Sequence, residues 1–385
     1  MSPQFIKNLQ RKRSNYSHPD QATSQANSLV LLSSGIYTEE ERFIFELLQN
    51  AVDAHDNFNG LLDVKILLES NYLIFMHNGA AFSERDIEGL CDVGNGNKMK
   101  DATKIGYKGI GFKSVFMRSN DVTVKSGGYC FKFNKEYWSD YWDKYWRIDE
   151  YGERDNDKRY AMPWQIIPIE ACPPVEINTE GYNVVTYIKL VNSSSVASKI
   201  LTLFSNSQFL LFLKSDAIKM TFLVDGNERI RIEKSKVNGQ VVLCSNGSED
   251  SRWLIYCNDK VEVPEKLKNL INADINTPDK LKDANTFDLS FAVALGKNNK
   301  LKRLEKEESL IFTYLPTSYR FGNEGFPFLV NANFITDAGR QQLHKDSEWN
   351  KLIFSKIPSE FLTWMKDLST VYDNYWEVLP EKSYG

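Results

Sequence analysis

Residues 46–54 read Glu-Leu-Leu-Gln-Asn-Ala-Val-Asp-Ala, and this stretch decides how the rest of the chain is interpreted. At about 100° per residue on a helix, Glu46, Asn50 and Asp53 fall within roughly 60° of one another. The flank of this row is apolar, with Phe43, Ile44, Leu47, Leu48 and Ala51. One helix row therefore carries a carboxylate, a carboxamide and a second carboxylate beside a core-facing surface. Taken alone, the stretch is also compatible with an amphipathic helix whose polar edge is solvated.

A second motif follows about sixty residues later. Residues 105–116 read Ile-Gly-Tyr-Lys-Gly-Ile-Gly-Phe-Lys-Ser-Val-Phe, a glycine-rich turn that runs into an apolar segment. Such a turn lets backbone N–H groups approach phosphates at the start of a helix. The turn is not a Walker A loop, because Phe112 separates Gly111 from Lys113. The sequence also lacks the Gly-x-Gly-x-x-Gly pattern of a dinucleotide-binding strand–helix unit.

Length and composition place the chain among ordinary globular proteins. Its 385 residues predict two or three domains. Net charge of −4 gives no general attraction to nucleic acid or to anionic membranes. The five cysteines lie far apart without a Cys-x-x-Cys pair, which indicates neither a disulfide framework nor a zinc site. No signal-peptide pattern and no apolar run of about 18 residues is present, so we expect a cytoplasmic protein without a membrane span.

The first half of the chain shows several predicted elements. Residues 1–28 are polar and without sustained periodicity, which predicts a flexible N-terminal arm, disordered or strapped over a neighbour. Thr38 is the expected cap of a helix that runs to about Ala54. Residues 62–76 predict a β-hairpin, and the polar turn at 77–82 that follows it is a good position for ligand contacts. The glycine- and lysine-bearing segment 94–103 predicts a mobile lid, against the alternative of an ordinary surface loop.

The second half of the chain has a different pattern of apolar residues. After residue 208 the apolar segments become shorter and alternate with polar residues, as far as about residue 295, which predicts a mainly antiparallel sheet. Residues 349–368 predict a final helix, with apolar residues at three-to-four spacing. We place a domain boundary near 208–215.

The two motifs resemble those of the GHKL superfamily, named from gyrase, the ninety-kilodalton heat-shock chaperone, histidine kinases and MutL. Residues 46–54 match its N-box, and residues 105–112 match its third, phosphate-binding motif. Within the superfamily the chain is most similar to sacsin-like and heat-shock-chaperone-like bacterial ATPases. That similarity is carried by the His-Asn-Gly-x-x-Phe variant at 77–82 and by the whole glycine-rich loop. A late segment adds to it, with Asn-Ala-Asn-Phe at 331–334, Arg340 and Trp-Asn at 349–350.

The resemblance implies a fold and an activity. The fold would be an α/β two-layer sandwich of the Bergerat (GHKL) type at 29–208, followed by an α+β transducer-like domain at 209–385. The activity would be Mg²⁺-dependent ATP binding and hydrolysis that drives a conformational cycle, with closure of a homodimer or a larger assembly. Such a module would serve a chaperone-like or anti-phage (antiviral) defence protein with a protein client or effector. A non-hydrolysing, nucleotide-gated scaffold is the alternative. A histidine kinase is disfavoured, because only His18 precedes the N-box.

The resemblance also implies roles for individual residues. Glu46 would be the general base for water, and Asn50 would offer its amide oxygen to Mg²⁺. Backbone N–H groups of the glycine-rich loop would cradle phosphates, with Lys108 or Lys113 adding charge. The full set of implied nucleotide-binding residues is Asn50, Asp53, Asn78, Gly79, Lys98, Gly106, Lys108, Gly109, Ile110, Gly111, Phe112 and Lys113.

Two further expectations concern residues outside the N-box and the glycine-rich loop. The superfamily usually places an aspartate where this chain has His77, so Asn78 or neutral His77 would accept the hydrogen bond from the adenine amino group. We therefore expect loss of Asn78 to weaken ATP more than GTP. In the second domain, Arg340 is the first choice and Lys345 the second for a basic group that reaches the γ-phosphate, since Arg suits bidentate phosphate contacts.

Overall fold

The computed structural model describes residues 3–36, 42–55, 60–92, 111–191, 193–320, 325–337 and 342–380. The chain divides into two compact units. The first comprises the described residues up to Thr202 together with Met220–Arg229. The second comprises Leu203–Lys219 and the described residues from Ile230 onward. Because Met220–Arg229 belongs to the first unit, no single cut near the predicted boundary at 208–215 separates the two.

The N-terminal segment is helical, so the expectation that it is disordered was wrong. Helix α1 spans Pro3–Ser14 and helix α2 spans Pro19–Ile36. Each helix buries one narrow apolar row, formed by Ile6 and Leu9 in α1 and by Ala22, Ala26 and Leu29 in α2. These residues lie three or four positions apart and so share one face of their helix. The many polar residues between them lie on the other faces, which is why the composition alone indicated disorder.

Helix α3 and the hairpin that follows agree with the sequence-based expectation. Helix α3 spans Arg42–His55, while the expected cap Thr38 lies outside the described residues. Strands β1 (Leu61–Glu69) and β2 (Tyr72–His77) pair antiparallel. Their turn uses Ser70 at φ +55°, in the left-handed region. The predicted hairpin is therefore confirmed, and it ends at the polar turn of residues 77–82.

The remaining elements complete an antiparallel sheet in the first unit. Its strand order is β1-β2-β6-β3-β4-β5. The added strands are β3 (Asp121–Ser126), β4 (Tyr129–Asn134), β5 (Ile169–Glu170) and β6 (Val184–Lys189). The added helices are α4 (Glu84–Leu90), α5 (Lys135–Ser139), α6 (Tyr141–Tyr145), α7 (Ile148–Tyr151) and α8 (Ser193–Phe204). Two 3₁₀ turns span Gly111–Met117 and Trp164–Ile166, and the first of them packs against α2, α3 and β3. This mixed arrangement is compatible with the predicted α/β sandwich.

The second unit is built on a mainly antiparallel sheet, as predicted. Its strand order is β14-β13-β15-β11-β10-β9-β8, in which only the described β13–β15 pair is parallel. The strands after β6 are β7 (Ala217–Val224), β8 (Asn227–Val237), β9 (Gln240–Ser245), β10 (Ser248–Glu262), β11 (Thr286–Leu295), β12 (Leu301–Lys302), β13 (Ile311–Thr313), β14 (Leu315–Pro316) and β15 (Leu329–Ala332). Most of β7 and the first residues of β8 belong to the first unit.

The core of the second unit lies between this sheet and its final helix. The helices are α9 (Glu265–Ala273), α10 (Asp279–Lys282) and α11 (Glu348–Val371), with 3₁₀ turns at Ser207–Leu210 and Tyr375–Val378. Helix α11 buries Phe361 against Phe291 and Phe328. Its Trp349 packs against Phe287 of β11. The predicted final helix is confirmed. Across the described residues, no helix combines the length and the apolar character of a bilayer-crossing segment.

Candidate functional site

The polar row of α3 is buried. Glu46 is 5% exposed and Asp53 is 4% exposed, and Asn50 between them is half-buried. All three residues have interaction partners within the protein. Burial of an ionised carboxylate is costly unless other groups compensate it. Two carboxylates kept on one buried row therefore indicate a polar site at this face of the helix rather than a solvated edge.

The glycine-rich motif meets this row at Gly111. Gly111 opens the 3₁₀ turn that packs against α3. A Cβ atom built on Gly111 would overlap the Glu46 carboxylate and would lie 3.1 Å from its Cδ. Only glycine permits this approach of main chain to carboxylate. The two motifs that the sequence places about sixty residues apart are thus in direct contact.

The turn after β2 lies against the C-terminal end of the same helix. The Ala80 N–H donates to the Ala54 carbonyl at 3.0 Å. A Cβ atom on Gly79 would come 3.0 Å from the Ala54 Cβ and 3.2 Å from the Ala51 carbonyl oxygen. Gly79 is therefore required by close packing of the turn on α3. The described parts of the N-box, of the turn at 77–82 and of the glycine-rich motif converge around one helix.

The two residues expected to read the base have defined backbone partners. The His77 Nδ1 accepts from the Gly79 N–H at 3.2 Å, so neutral His77 carries its proton on Nε2. The Asn78 carboxamide oxygen accepts from the Asp63 N–H at 2.9 Å, and its nitrogen donates to the Leu61 carbonyl at 2.9 Å. Asn78 thereby ties the turn to the start of β1. This structural role was not foreseen, and base reading by Asn78 stays a prediction.

Asn183 is a residue of this region that the sequence did not single out. Its carboxamide nitrogen donates to the carbonyls of Asn78 and Gly79, both at 3.1 Å. Its main-chain N–H donates to the His77 carbonyl at 3.0 Å. One exposed asparagine thus holds three consecutive carbonyls of the turn. In the sequence, Asn183 is marked only by its position directly before strand β6 and beside a glycine-containing turn. This pattern is too common to predict a role.

Lys113 does not extend into solvent beside the glycine-rich turn. Its side chain is 5% exposed, and its ammonium donates to the carbonyls of Leu90 and Gln165, the latter at 3.0 Å. The rings of Phe116 and Phe133 lie 5.7 and 5.4 Å from Nζ. Burial lowers the pKa of Lys113 to about 8. These contacts correct the expectation that Lys113 adds charge at a phosphate, because its donors are directed into the core.

The other expected site residues divide into described and undescribed ones. Phe112 is buried and packs edge-on against Phe116 at 5.9 Å between ring centroids. Lys345 is exposed, with its Nζ 5.2 Å from the centroid of the Tyr319 ring. The residues that lie outside the described ranges are Lys98, Gly106, Lys108, Gly109, Ile110 and Arg340.

The α3 row fits a divalent cation and a phosphate by its chemistry. Asn50 offers a neutral amide oxygen, a ligand type that Mg²⁺ accepts alongside phosphates and water. Glu46 lies one helical turn away and supplies a carboxylate. The missing Cβ of Gly111 leaves room for that carboxylate against the main chain of the glycine-rich motif. These residues could contribute to holding a metal-bound phosphate.

Comparisons with known proteins agree with this geometry. Residues 32–128, which include α3, the hairpin and the glycine-rich motif, match the sacsin domain. The chain is 25% identical over 350 residues to protein NO VEIN of Arabidopsis thaliana, covering 87% of this chain and 11% of that protein. It is 27% identical over 175 residues to the chaperone protein HtpG of Sulfurovum sp. (strain NBC37-1), covering 36% of this chain and 28% of that protein.

These matches confirm the resemblance to the sacsin-like branch of the GHKL superfamily. The matched residues contain every described part of the candidate site from Glu46 to Lys113. The chain spans only a small share of the length of both curated relatives.

Proposed function

We propose, from the resemblance to sacsin-like GHKL proteins, that this chain binds ATP with Mg²⁺ and hydrolyses it. The observation that carries the proposal is the contact between Glu46 and Gly111. It brings a buried carboxylate to the main chain of a glycine-rich motif, where backbone N–H groups suit phosphate oxygens. A carboxylate at that position can accept a proton from a water molecule that attacks a phosphate.

The residues of α3 have separable tasks in this proposal. Glu46 orients the attacking water and takes its proton. Asn50 would hold Mg²⁺, and the ion would supply positive charge to the phosphate oxygens. Asp53 shapes the nucleotide pocket at the same helix face. The turn at 77–82 lies at the other end of α3, which supports a role for it in contacts to the base.

Hydrolysis would drive a conformational cycle, as the superfamily resemblance implies. We propose closure of a homodimer or larger assembly on ATP binding, in a chaperone-like or antiviral defence protein. The match to a protein named as a chaperone supports the chaperone-like part. In this cycle Arg340, or Lys345 as second choice, would supply a positive charge to the γ-phosphate. We expect Arg340→Ala to slow turnover with little change in ATP affinity, and Lys345→Ala to serve as its comparison.

Nucleotide binding and phosphate release, measured on the same preparation, test the proposal. Glu46→Gln keeps the size of the buried side chain and removes its basicity. We expect turnover to fall about 10²–10⁴-fold while the Kd for ATP stays within about threefold. Glu360→Gln is the matched control, since Glu360 is a second-unit carboxylate that accepts from Tyr256 and Asn258.

The outcomes of this experiment distinguish an ATPase from a nucleotide-gated scaffold. A chain that binds ATP and releases phosphate only when Glu46 is intact is an ATPase. Binding without phosphate release in the unaltered chain would identify the alternative, a nucleotide-gated scaffold. Absence of ATP binding in the presence of Mg²⁺ would overturn both.

A further inference from the structure

Lys113 occupies an unusual position for a lysine. Its ammonium is enclosed between α4 and the 3₁₀ turn of Trp164–Ile166, and it donates to one carbonyl at each. A buried ammonium is costly unless hydrogen bonds compensate it. A side chain that only filled core volume would not need this charge. The reason for a charged group at this position must therefore lie in the segments that its two hydrogen bonds hold in place.

The element that these bonds hold is the turn that carries Gly111. Lys113 lies two residues after Gly111 in the 3₁₀ turn of Gly111–Met117. Within that turn the Ser114 hydroxyl donates to the Gly111 carbonyl at 2.6 Å. Lys113 thus connects a locally braced turn to Leu90 on one side and to Gln165 on the other. The contact between Gly111 and Glu46 depends on where this turn sits.

Arg13 of helix α1 extends the same connection. Its guanidinium donates to the Cys91 carbonyl at 2.5 Å and forms an ion pair with the Asp92 carboxylate at 2.5 Å. Two cations from different parts of the chain therefore fix the consecutive residues Leu90, Cys91 and Asp92. Charge-assisted bonds of this kind are about twice as strong as neutral ones.

We infer that Lys113 is a positioning residue, which holds the Gly111 main chain against Glu46 through the carbonyls of Leu90 and Gln165. Arg13 supports it by fixing Cys91 and Asp92 from helix α1. The inference rests on the proposed ATPase function, in which Glu46 acts on the water that attacks the phosphate. It gives α1 a part in organising the site, and it replaces the phosphate contact expected of Lys113.

Lys113→Met tests the inference, because methionine keeps the apolar stem and removes the ammonium. A misplacement of about 1 Å in a catalytic arrangement costs up to about 10²-fold in rate. We expect kcat to fall about 10- to 100-fold with KM for ATP within about threefold. A phosphate ligand would behave differently, since its loss would raise KM.

Lys234→Met is the matched control. Lys234 of the second unit is also buried and also donates to two carbonyls, those of Leu211 and Leu213 at 3.0 and 2.7 Å. Both variants lose the same chemistry, so they are compared at a temperature at which circular dichroism finds each one folded. We expect kcat of Lys234→Met to stay within about twofold of the unaltered chain. Equal losses of kcat in the two variants would reduce Lys113 to a general stabilising group and overturn the inference.

Arg13→Met gives a second, milder test that also decides the matter if Lys113→Met does not fold. It removes the clamp on Cys91 and Asp92 and leaves Lys113 in place. We expect kcat to fall about 3- to 10-fold with KM unchanged, and unchanged kcat would overturn the inference. Phosphate release by the unaltered chain is measured first, because its absence refutes the ATPase proposal itself. An active unaltered chain with equally active variants refutes only the positioning role.

Discussion

Gly111 approaches the Glu46 carboxylate so closely that a single methyl group on Gly111 would overlap it. This contact joins the helix that carries the polar row to the turn that carries the glycine motif. Glycine is needed at position 111 because a side chain there would clash with Glu46. A left-handed backbone is not the reason, since Gly111 is not among the described glycines with positive φ. The consequence of filling this space can therefore be tested on its own.

Gly111→Ala should displace Glu46 or the turn and slow ATP turnover. We expect kcat to fall at least about 10-fold, because a general base contributes about 10²–10⁴-fold to rate and acts only in the correct position. Gly296→Ala is the matched control. A Cβ atom there meets first the end of the Asn298 side chain at 3.2 Å, which is able to move. Wild-type kcat in Gly111→Ala would show that the contact with Glu46 has no catalytic part.

Asn78→Ala distinguishes a base-reading role from a structural one. The sequence predicts a selective loss of ATP affinity, through one hydrogen bond worth about 0.5–1.5 kcal/mol net. The contacts of Asn78 with Leu61 and Asp63 instead predict a less stable turn, and with it equal weakening of ATP and GTP. We expect the second result, with a lower Tm, in parallel titrations of both nucleotides. A larger loss of affinity for ATP than for GTP would instead bear out base reading by Asn78.

Local pattern was sufficient to predict α3, the hairpin and the row of Glu46, Asn50 and Asp53. Each of these follows from periodicity within one element. The hydrogen-bond partners of the Lys113 ammonium could not be predicted from local pattern. They are the carbonyls of Leu90 and Gln165, which only the tertiary structure brings together. The motif spacing indicates that Lys113 is near the phosphate loop, and it contains no information on which way the side chain turns.

The pH dependence of stability should report the buried lysine of the second unit. Burial lowers the pKa of Lys234 to about 7, with Asp216 and Lys236 as the nearby charges. An unfolded lysine has a pKa near 10.4, so between pH of about 7 and 10 the unfolded chain holds a proton that the folded chain lacks. The free energy of unfolding therefore rises with pH in this window, by up to about 1.4 kcal/mol per unit from this group.

Urea unfolding of the unaltered chain and of Lys234→Met at pH 7, 8 and 9 measures this slope. We expect a shallower rise of the free energy of unfolding with pH in the variant. Lys113 contributes a similar rise above a pH of about 8, which remains in the variant. Parallel curves for the two proteins would contradict the lowered pKa of Lys234.

The N-terminal helices offer the clearest contrast between the sequence-based expectation and the structure. If residues 1–28 were a flexible arm, no substitution there would change stability. In the structure Leu9 is buried on the inner face of α1, whereas Lys7 on the same helix is exposed and pairs with Glu170 at 3.1 Å. A buried leucine replaced by alanine typically costs 2–5 kcal/mol. An exposed ion pair is worth about 0–1 kcal/mol.

Leu9→Ala should therefore lower the free energy of unfolding by about 2–5 kcal/mol, and Lys7→Ala should change it by less than about 1 kcal/mol. The same substitution at Leu9 should also slow ATP turnover, because a loosened α1 no longer presents Arg13 to Cys91 and Asp92. Thermal unfolding and phosphate release on the two variants measure both effects. Equal free energies of unfolding for Leu9→Ala and Lys7→Ala would show that α1 behaves as a flexible arm. A destabilised but fully active Leu9→Ala would confine α1 to a structural role.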